Sequence, residues 1–185
     1  MLSREDILDN LKRLGALLKE QDMDGEILLT GGAAMCLVHS ARDMTKDVDA
    51  LYEPKELIND LVARVADERG LPQDWLNDGV KGFVNDNAPV EDFMVFEGLK
   101  ITTVSPQYLL AMKLMSARFG EKDYEDIHFL MGKLQIANME QATQLLMTFY
   151  PVERILPKTR YVLEEYFADL DAPAQTQTHT QPMSM

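Results

Sequence analysis

Residues 28–34 (LLTGGAA) and residues 45–51 (TKDVDAL) carry the patterns from which the fold of this chain can be predicted. The first joins an apolar run to a helix-forming run through Gly31 and Gly32, which indicates a buried strand, a tight turn and a helix. The second contains a short apolar strand that ends before Pro54. A strand, a glycine turn, a helix and a second strand predict an α/β domain.

The flanking sequence adds helices on both sides of these strands. Ser3 has the character of a helix N-cap, and the amphipathic helix it starts is predicted to end near Gln21. A third helix is predicted to end at Gly70, whereas residues 71–90 show no regular pattern. Further predicted elements are antiparallel strands at residues 93–96 and 99–104 with their bend at Gly98, helices from Ser105 and Asp123, and two C-terminal helices separated by Pro151 and Pro157.

The order of these elements predicts an α/β (α+β) fold with a small mixed sheet flanked by helices. We expect a core domain at residues 1–104 and a helical region packed on it at residues 105–170. Residues 171–185 are rich in Gln, Thr and Pro and carry almost no core-forming side chains. This segment is predicted to be a disordered tail.

Composition limits the functions open to the chain. Its 185 residues carry a formal net charge of −13, which repels phosphate backbones and argues against a general DNA- or RNA-coating protein. The one cysteine, Cys36, has no partner for an intramolecular disulfide. The sequence contains no apolar run long enough for a membrane span and no signal sequence at the N-terminus. We therefore expect a soluble protein of the reducing cytoplasm, without a membrane partner.

Asp47 and Asp49 stand two residues apart on the second predicted strand. Side chains at positions i and i+2 of a strand share a face, so we expect the two carboxylates to lie close together. Such a pair supplies hard oxygen ligands to a divalent ion that also binds phosphate, as Mg²⁺ does. Solvated strand ends carry the same pattern without a metal, so the pair alone leaves both interpretations open.

Gly31 and Gly32 lie between the first predicted strand and its helix, about fifteen residues before the aspartates. Glycine lets the backbone approach a phosphate group closely, and a helix start offers free N–H groups. An ordinary tight turn between a strand and a helix would contain the same two residues. The glycine pair alone therefore also leaves two interpretations.

Together, residues 28–34 and 45–49 resemble the signature of the nucleotidyltransferase superfamily, in which a hydrophobic strand and a glycine-glycine or glycine-serine turn precede Asp-x-Asp. Residues 105–113 (SPQYLLAMK) and 117–127 (ARFGEKDYEDI) are similar to the lysine and Lys-Asp-x-x-Asp motifs of the AbiEii-like and DUF6036-like branches. The resemblance extends over roughly residues 25–135.

This resemblance implies that Asp47 and Asp49 bind Mg²⁺ or Mn²⁺ and that Lys113 and Asp126 complete the catalytic centre, with Asp123 in support. The substrate it implies is an NTP, and the acceptor is an RNA end or a protein side chain. Several relatives act as toxins, so an antitoxin protein is an expected partner. The implied nucleotide-binding residues are Gly31, Gly32, Thr45, Lys113 and Arg118.

Two positions depart from the family pattern. Ala33 follows the glycines where the glycine-serine form presents a hydroxyl group, so Thr30 or Thr45 would have to supply one. Many active members also carry a third acidic residue on a later strand. In the matching segment, residues 93–104, Glu97 is the candidate third metal ligand.

Two functions of different classes follow. The first is a metal-dependent nucleotidyltransferase, with a toxin-like role as one form, that moves a nucleotidyl group from an NTP to an RNA or protein hydroxyl. The second is a degenerate nucleotide-binding or non-catalytic interaction protein that keeps the same fold. Exchange of Asp47 and Asp49 for asparagine should abolish metal-dependent labelling in the first case and leave partner binding intact in the second.

Overall fold

The structure is a computed structural model that describes residues 1–85, 88–116 and 121–171. Of the tail predicted at residues 171–185, the residues after Asp171 lie outside the described part of the chain. No helix in the described part of the chain is long and apolar enough to cross a membrane.

The strands are β1 (Leu2–Ser3), β2 (Gly25–Leu29), β3 (Met44–Thr45), β4 (Val48–Glu53), β5 (Leu76–Asn77), β6 (Val90–Phe96) and β7 (Leu99–Val104). The α-helices are α1 (Arg4–Glu20), α2 (Gly31–Leu37), α3 (Lys55–Arg69), α4 (Pro106–Ser116), α5 (Glu121–Lys133), α6 (Met139–Phe149) and α7 (Pro157–Asp171).

A five-stranded mixed sheet organises the chain, in the strand order β5-β4-β2-β7-β6. Strand β2 is parallel to β7 and β4 is parallel to β5, whereas the β2–β4 and β6–β7 pairs are antiparallel. Strands β1 and β3 form a separate antiparallel pair. The mixed sheet with flanking helices confirms the α/β class predicted from the sequence.

Alternation along β4 divides its side chains between the two faces of the sheet. Val48, Ala50 and Tyr52 are buried in a hydrophobic cluster together with residues of α1 and α3, as expected for a half-buried strand. Asp49 and Leu51 therefore face the opposite side. The carboxylate of Asp49 thus lies on the face of the sheet that α1 and α3 do not cover.

A second hydrophobic cluster is formed by helices α4 to α7. Ala34 and Met35 of α2 belong to this cluster, whereas Ala33 and Cys36 of the same helix belong to the first. Val104, the last residue of β7, also contributes to the second cluster. The helical region therefore packs on the sheet-containing part of the chain through α2 and the end of β7.

Residues 71–90, which show no regular pattern in the sequence, contribute β5 and a 3-10 turn at Gly79–Gly82. Trp75 is buried, and its indole Nε1 donates a hydrogen bond to the Val62 carbonyl oxygen at 3.1 Å. The Trp75 carbonyl oxygen in turn accepts a hydrogen bond from the first residue of β4 at 2.7 Å. Trp75 thereby fixes β5 beside β4 and brings Asn77 level with the second residue of β4.

The N-terminal segment anchors the loop that leads to β4. Ser3 caps α1, as predicted, and forms a capping box there. Leu2 pairs with Thr45 across β1 and β3. Arg4 donates to a carbonyl oxygen at the C-terminal end of α2. These contacts position the chain just before Asp47.

Candidate functional site

A cleft of about 520 Å³ opens beside the start of β4, on the face of the sheet that carries Asp49. This volume is common for small-molecule sites. Five of the residues predicted from the sequence line the cleft: Gly31, Asp47, Asp49, Lys113 and Asp123. The sequence did not indicate the others, which are Gly79, Val80, Phe83, Leu109, Met112, Ser116 and Lys158.

The two aspartates concentrate negative charge in this cleft. Asp47 directly precedes β4, and Asp49 is the second residue of the strand. Burial raises the pKa of the Asp49 carboxyl above its ordinary value, and the nearby Asp47 carboxylate raises it further. Lys113 and a hydrogen bond from Asn77 lower the same pKa in partial compensation. A cation bound to the pair would relieve this repulsion.

Gly31 brings the backbone against the Asp49 side chain. Its φ of 54° lies in the left-handed region that favours glycine. A Cβ atom at this position would lie 2.7 Å from Asp49 Oδ2. The turn is tied to β4 because the Asp49 carbonyl oxygen accepts from the Thr30 backbone N–H at 3.0 Å and from the Thr30 hydroxyl at 3.1 Å. Glycine at position 31 therefore leaves both the backbone and the carboxylate open to the cleft.

Gly32 and the two threonines lie behind the cleft wall. A Cβ atom on Gly32 would lie 2.5 Å from Thr45 Oγ1 and 3.2 Å from a guanidinium nitrogen of Arg42, so glycine here permits close packing. The buried Thr45 hydroxyl donates to the Asp47 carbonyl oxygen at 3.2 Å. Thr30 is also buried, and neither threonine lines the cleft. Neither hydroxyl therefore replaces the serine hydroxyl of the glycine-serine form.

Lys113 of α4 is held by two carboxylates of α5. Its Nζ lies 2.7 Å from Asp126 Oδ2 and 3.3 Å from Asp123 Oδ1. Asp126 is only 3% exposed and also pairs with Arg42, whose Nε donates to Oδ1 at 3.1 Å. Because two cations neutralise this buried carboxylate, loss of either would leave charge poorly compensated. Asp126 lies outside the cleft wall, whereas the Asp123 side chain is 34% exposed and lines the cleft.

Glu97 does not reach the aspartate pair, so the prediction that it is a third ligand of the same ion is wrong. Because β7 runs parallel to β2, the bend before β7 lies beside the N-terminal end of β2, whereas Asp49 lies beside its C-terminal end. Along the strand direction, Glu97 and Asp49 are separated by about six residues, or about 20 Å. Glu97 is exposed there, near Lys19 of α1. The carboxylates of β6 are no substitute, because β6 lies three strands from β4, about 14 Å away.

Asp47 and Asp49 suit a divalent cation of the magnesium kind. Mg²⁺ is commonly bound through one or two carboxylates, keeps several waters and takes further oxygen ligands from substrate phosphates. Within residues 1–85, 88–116 and 121–171, no three His, Cys, Asp or Glu side chains lie close enough together to hold a metal ion. Two carboxylates would leave coordination positions of such an ion open to waters and to substrate oxygens.

Long-range contacts bring several side chains to the cleft or to the residues that support it, and nothing in the sequence indicated these side chains. Arg42 lies in the loop between α2 and β3, and its role becomes visible only through its contact with Asp126, 84 positions away. Val80 and Phe83 belong to the segment without a regular pattern. The polar run at residues 77–79 is typical of a turn, but it carries no signal that the next residues form a cleft wall.

Lys158, the second residue of α7, adds a cation to the cleft that the sequence did not indicate. The neighbouring Thr159 is buried, and its hydroxyl donates to the Leu114 carbonyl oxygen at 3.2 Å, which fixes the start of α7 against α4. Among the described residues the Lys158 side chain has no hydrogen-bond or ion-pair partner, in contrast to Lys113. Arg118, the remaining predicted nucleotide-binding residue, lies outside the described part of the chain.

Comparisons with known proteins place the chain in a family. No curated protein matches it. A crystal structure described as an antigenic nucleotidyltransferase-like protein from Paracoccidioides brasiliensis aligns with this chain with a TM-score of 0.46 at 14% identity. The alignment covers 88% of this chain and 94% of that chain, and a similarity of this size carries no argument about function. A family model described as nucleotidyltransferase of unknown function (DUF6036) matches residues 6–162. Because this match extends over most of the chain, the protein belongs to that nucleotidyltransferase family.

Proposed function

We propose that the protein is a Mg²⁺- or Mn²⁺-dependent nucleotidyltransferase that moves a nucleotidyl group from an NTP to a hydroxyl group of an RNA end or a protein side chain. One observation carries the proposal: a single cleft contains the aspartate pair, the Gly31 turn and two lysines. These groups together can bind a metal ion and neutralise a polyphosphate. Membership of a nucleotidyltransferase family supports the same function.

Asp47 and Asp49 are the residues that would hold the divalent ion. When bound, such an ion supplies positive charge that neutralises phosphate oxygens and stabilises the charge developing on the leaving group. The aspartates need a counter-charge in turn, because burial and mutual repulsion disfavour the ionised form of Asp49. The chemistry of the pair and that of a metal-bound triphosphate are therefore complementary.

The Gly31 turn and the two lysines would bind the polyphosphate. Gly31 has no side chain, so phosphate oxygens can approach its backbone. Lys113 is held in place by Asp126, which contacts the lysine rather than the cleft and is therefore a positioning residue. Lys158 lines the cleft without a carboxylate partner among the described residues. Its charge is available to a phosphate group.

In the proposed step, the acceptor hydroxyl oxygen forms a bond to the α-phosphorus while the bond between the α-phosphorus and the α,β-bridging oxygen breaks. Pyrophosphate leaves with that electron pair, and the hydroxyl proton passes to a base. Asp123 is suited to accept this proton, because it lines the cleft and its side chain is 34% exposed. Lys113 stabilises the negative charge on the transferred phosphate group.

Label transfer tests this proposal directly. Purified protein is incubated with each labelled NTP, Mg²⁺ or Mn²⁺, and total cellular RNA and protein. Combining Asp47→Asn with Asp49→Asn should lower transfer by about 100-fold or more, because the neutral amides bind the ion poorly. The matched control combines Glu91→Gln with Asp92→Asn, two carboxylates of β6 outside the cleft, and should transfer label like the wild type. Absence of both transfer and NTP binding in the wild type would refute the proposal.

A degenerate nucleotide-binding protein that keeps the same fold is the second candidate. The observation that favours it is the position of Glu97, which leaves the aspartate pair without the third strand carboxylate of many active relatives. Calorimetry separates the two candidates. Binding of Mg-ATP that requires Asp49, without transfer to any acceptor, would assign the protein to the binders. A non-catalytic interaction protein would instead keep its partner after exchange of both Asp47 and Asp49.

The acceptor class and a toxin-like role are separate parts of the proposal. Label recovered in RNA would identify an RNA end as the acceptor, and label recovered in protein would identify a side chain. If the protein acts as a toxin, its expression should arrest growth, and Asp49→Asn or a co-expressed antitoxin protein should restore growth. Growth arrest that persists with Asp49→Asn would contradict a role that depends on transfer.

A further inference from the structure

We infer that Phe83 is the surface on which the base of a bound nucleoside triphosphate stacks, an inference that rests on the proposed function of the cleft. Phe83 lines the cleft and is 41% exposed. Burial of a phenylalanine side chain is normally favourable, so an aromatic ring left in a concave site exposes apolar surface to water. A ligand with a planar apolar face would cover that surface.

The backbone beneath this ring is held by two buried tyrosines. The Phe83 carbonyl oxygen accepts hydrogen bonds from the Tyr108 hydroxyl at 3.2 Å and from the Tyr150 hydroxyl at 2.7 Å. Both tyrosines are almost completely buried. The Asn85 backbone N–H donates to the Tyr108 hydroxyl at 2.7 Å, and the Asn85 side chain donates to the Phe149 carbonyl oxygen at 2.7 Å. The segment that presents the ring is therefore fixed before any ligand binds, which lowers the entropic cost of binding.

The lining of the cleft combines two chemically different sets of side chains. Charged side chains form one set, whereas Val80, Phe83, Leu109 and Met112 contribute an apolar part of the lining. Leu109 and Met112 belong to the hydrophobic cluster of the C-terminal helices, so this apolar part is continuous with the core. A polyphosphate alone would leave the apolar part unused. A nucleoside triphosphate offers a polyanion and a planar base in one molecule and matches both parts.

Stacking on an aromatic ring discriminates weakly among bases, because every base has a π-face. In the apolar wall, Val80, Leu109 and Met112 have no side-chain hydrogen-bond donor or acceptor of the kind that reads base edges, apart from the weakly accepting Met112 sulfur. We therefore expect all four NTPs to bind, with a modest preference for the larger purines.

Calorimetric titration of the full chain tests the inference with two probes, Mg-ATP and Mg²⁺ with inorganic triphosphate. Phe83→Ala should weaken Mg-ATP binding by about 5- to 140-fold, the range of one base–aromatic stack. Binding of inorganic triphosphate, which has no base, should change by less than about twofold. Phe83→Tyr keeps the ring and should bind Mg-ATP within about twofold of the wild type. Val95→Ala removes a side chain of an exposed residue on β6 and controls for loss of exposed apolar surface.

Each result of this titration either supports or overturns the assignment of Phe83 as the stacking surface. Selective loss of Mg-ATP affinity in Phe83→Ala supports the inference. Equal Mg-ATP affinity in Phe83→Ala and the wild type would overturn it while the proposed function stands, and so would an equal loss for both probes. Failure of the wild type to bind either probe would overturn the proposed function and the inference together. The melting temperature of Phe83→Ala should stay close to that of the wild type, because the Phe83 carbonyl oxygen that bonds both tyrosines is retained.

Discussion

The two ends of the central sheet each carry a glycine in the left-handed conformation next to an acidic residue. The two glycines differ in the atoms that an added Cβ would meet. At one end Gly31 has a φ of 54°, and an added Cβ would meet the carboxylate of Asp49 at 2.7 Å. At the other end Gly98 has a φ of 75°, and an added Cβ would meet the carbonyl oxygen of Gly15 at 2.5 Å. One glycine opposes a charged side chain, and the other opposes the backbone of a helix.

This difference separates the proposed binding site from a packing contact. A carboxylate can rotate or exchange its partner for a metal ion, whereas the backbone of a packed helix cannot shift without disturbing the core. The end with Gly31 also borders the cleft, while the end with Glu97 and Gly98 rests on α1. A left-handed glycine therefore allows close packing at one end and, in the proposed function, access of a ligand to the backbone at the other.

The largest effect on stability is expected at the packing end. Gly98→Ala should lower the free energy of unfolding by about 3 kcal/mol, because it combines a strained φ with a clash against helix backbone. For a chain of this size that corresponds to a fall in melting temperature of about 6–12 °C. Thermal unfolding measures the change. Gly132→Ala, in a helix where an added Cβ meets nothing within 4 Å, is the matched control and should leave stability unchanged or slightly higher. Equal melting temperatures for Gly98→Ala and the wild type would contradict this account.

Gly31→Ala should act mainly on binding. The added methyl group would displace the Asp49 carboxylate and cover the backbone at the cleft, so Mg-ATP affinity should fall about 10-fold or more. Stability should fall less than in Gly98→Ala, because the opposing atom belongs to a side chain that can move. Calorimetry and thermal unfolding of both variants give the comparison. A greater loss of stability in Gly31→Ala than in Gly98→Ala would remove the distinction between the two ends.

A smaller effect is expected for Lys158→Ala. Loss of one cation that lines the cleft should weaken Mg-ATP binding by about 5- to 10-fold, and Lys158→Arg should retain most of the affinity because it keeps the charge. The effect should shrink as salt concentration rises. Titration at two salt concentrations tests this, with Lys12→Ala on exposed α1 surface as the control. Equal affinities of Lys158→Ala and Lys12→Ala would exclude Lys158 from the site.

The smallest effect is expected for Glu97→Gln. Its carboxylate lies about 20 Å from the level of Asp49, so label transfer should stay within about twofold of the wild type. The same assay with Asp49→Asn provides the contrast at the other end of the sheet. A loss of transfer in Glu97→Gln as large as that in Asp49→Asn would contradict the exclusion of Glu97 from the site.

Much of the fold followed from local chemistry. The cap at Ser3, the helix end at Gly70 and the bend at Gly98 were predicted because each depends on one residue and its close neighbours along the chain. The presence of Asp47 and Asp49 on one side of a strand start followed from the two-residue period of strands. Each of these features is encoded within a few positions, where steric and hydrogen-bonding preferences act directly.

Other parts of the site depended on contacts between distant segments. Arg42 reaches Asp126 from a loop, and Phe83 and Lys158 enter the cleft because separate elements pack on α4. Nothing in the local sequence around these residues distinguishes them from ordinary surface or loop positions. Glu97 was misplaced for the same reason, since its position follows from the parallel pairing of β7 with β2.

The α/β class, most helix and strand positions, the glycine turn and the aspartate pair were predictable from the order of residues alone. The strand order, the pairing of Lys113 with Asp123 and Asp126, and the combination of charged and apolar side chains in one cleft became visible only in the folded chain. The two groups of features differ in the range of the interactions that produce them. Backbone preferences and side-chain periodicity act over a few residues, whereas strand order and buried charge pairs are chosen by the free energy of packing between segments far apart in the chain.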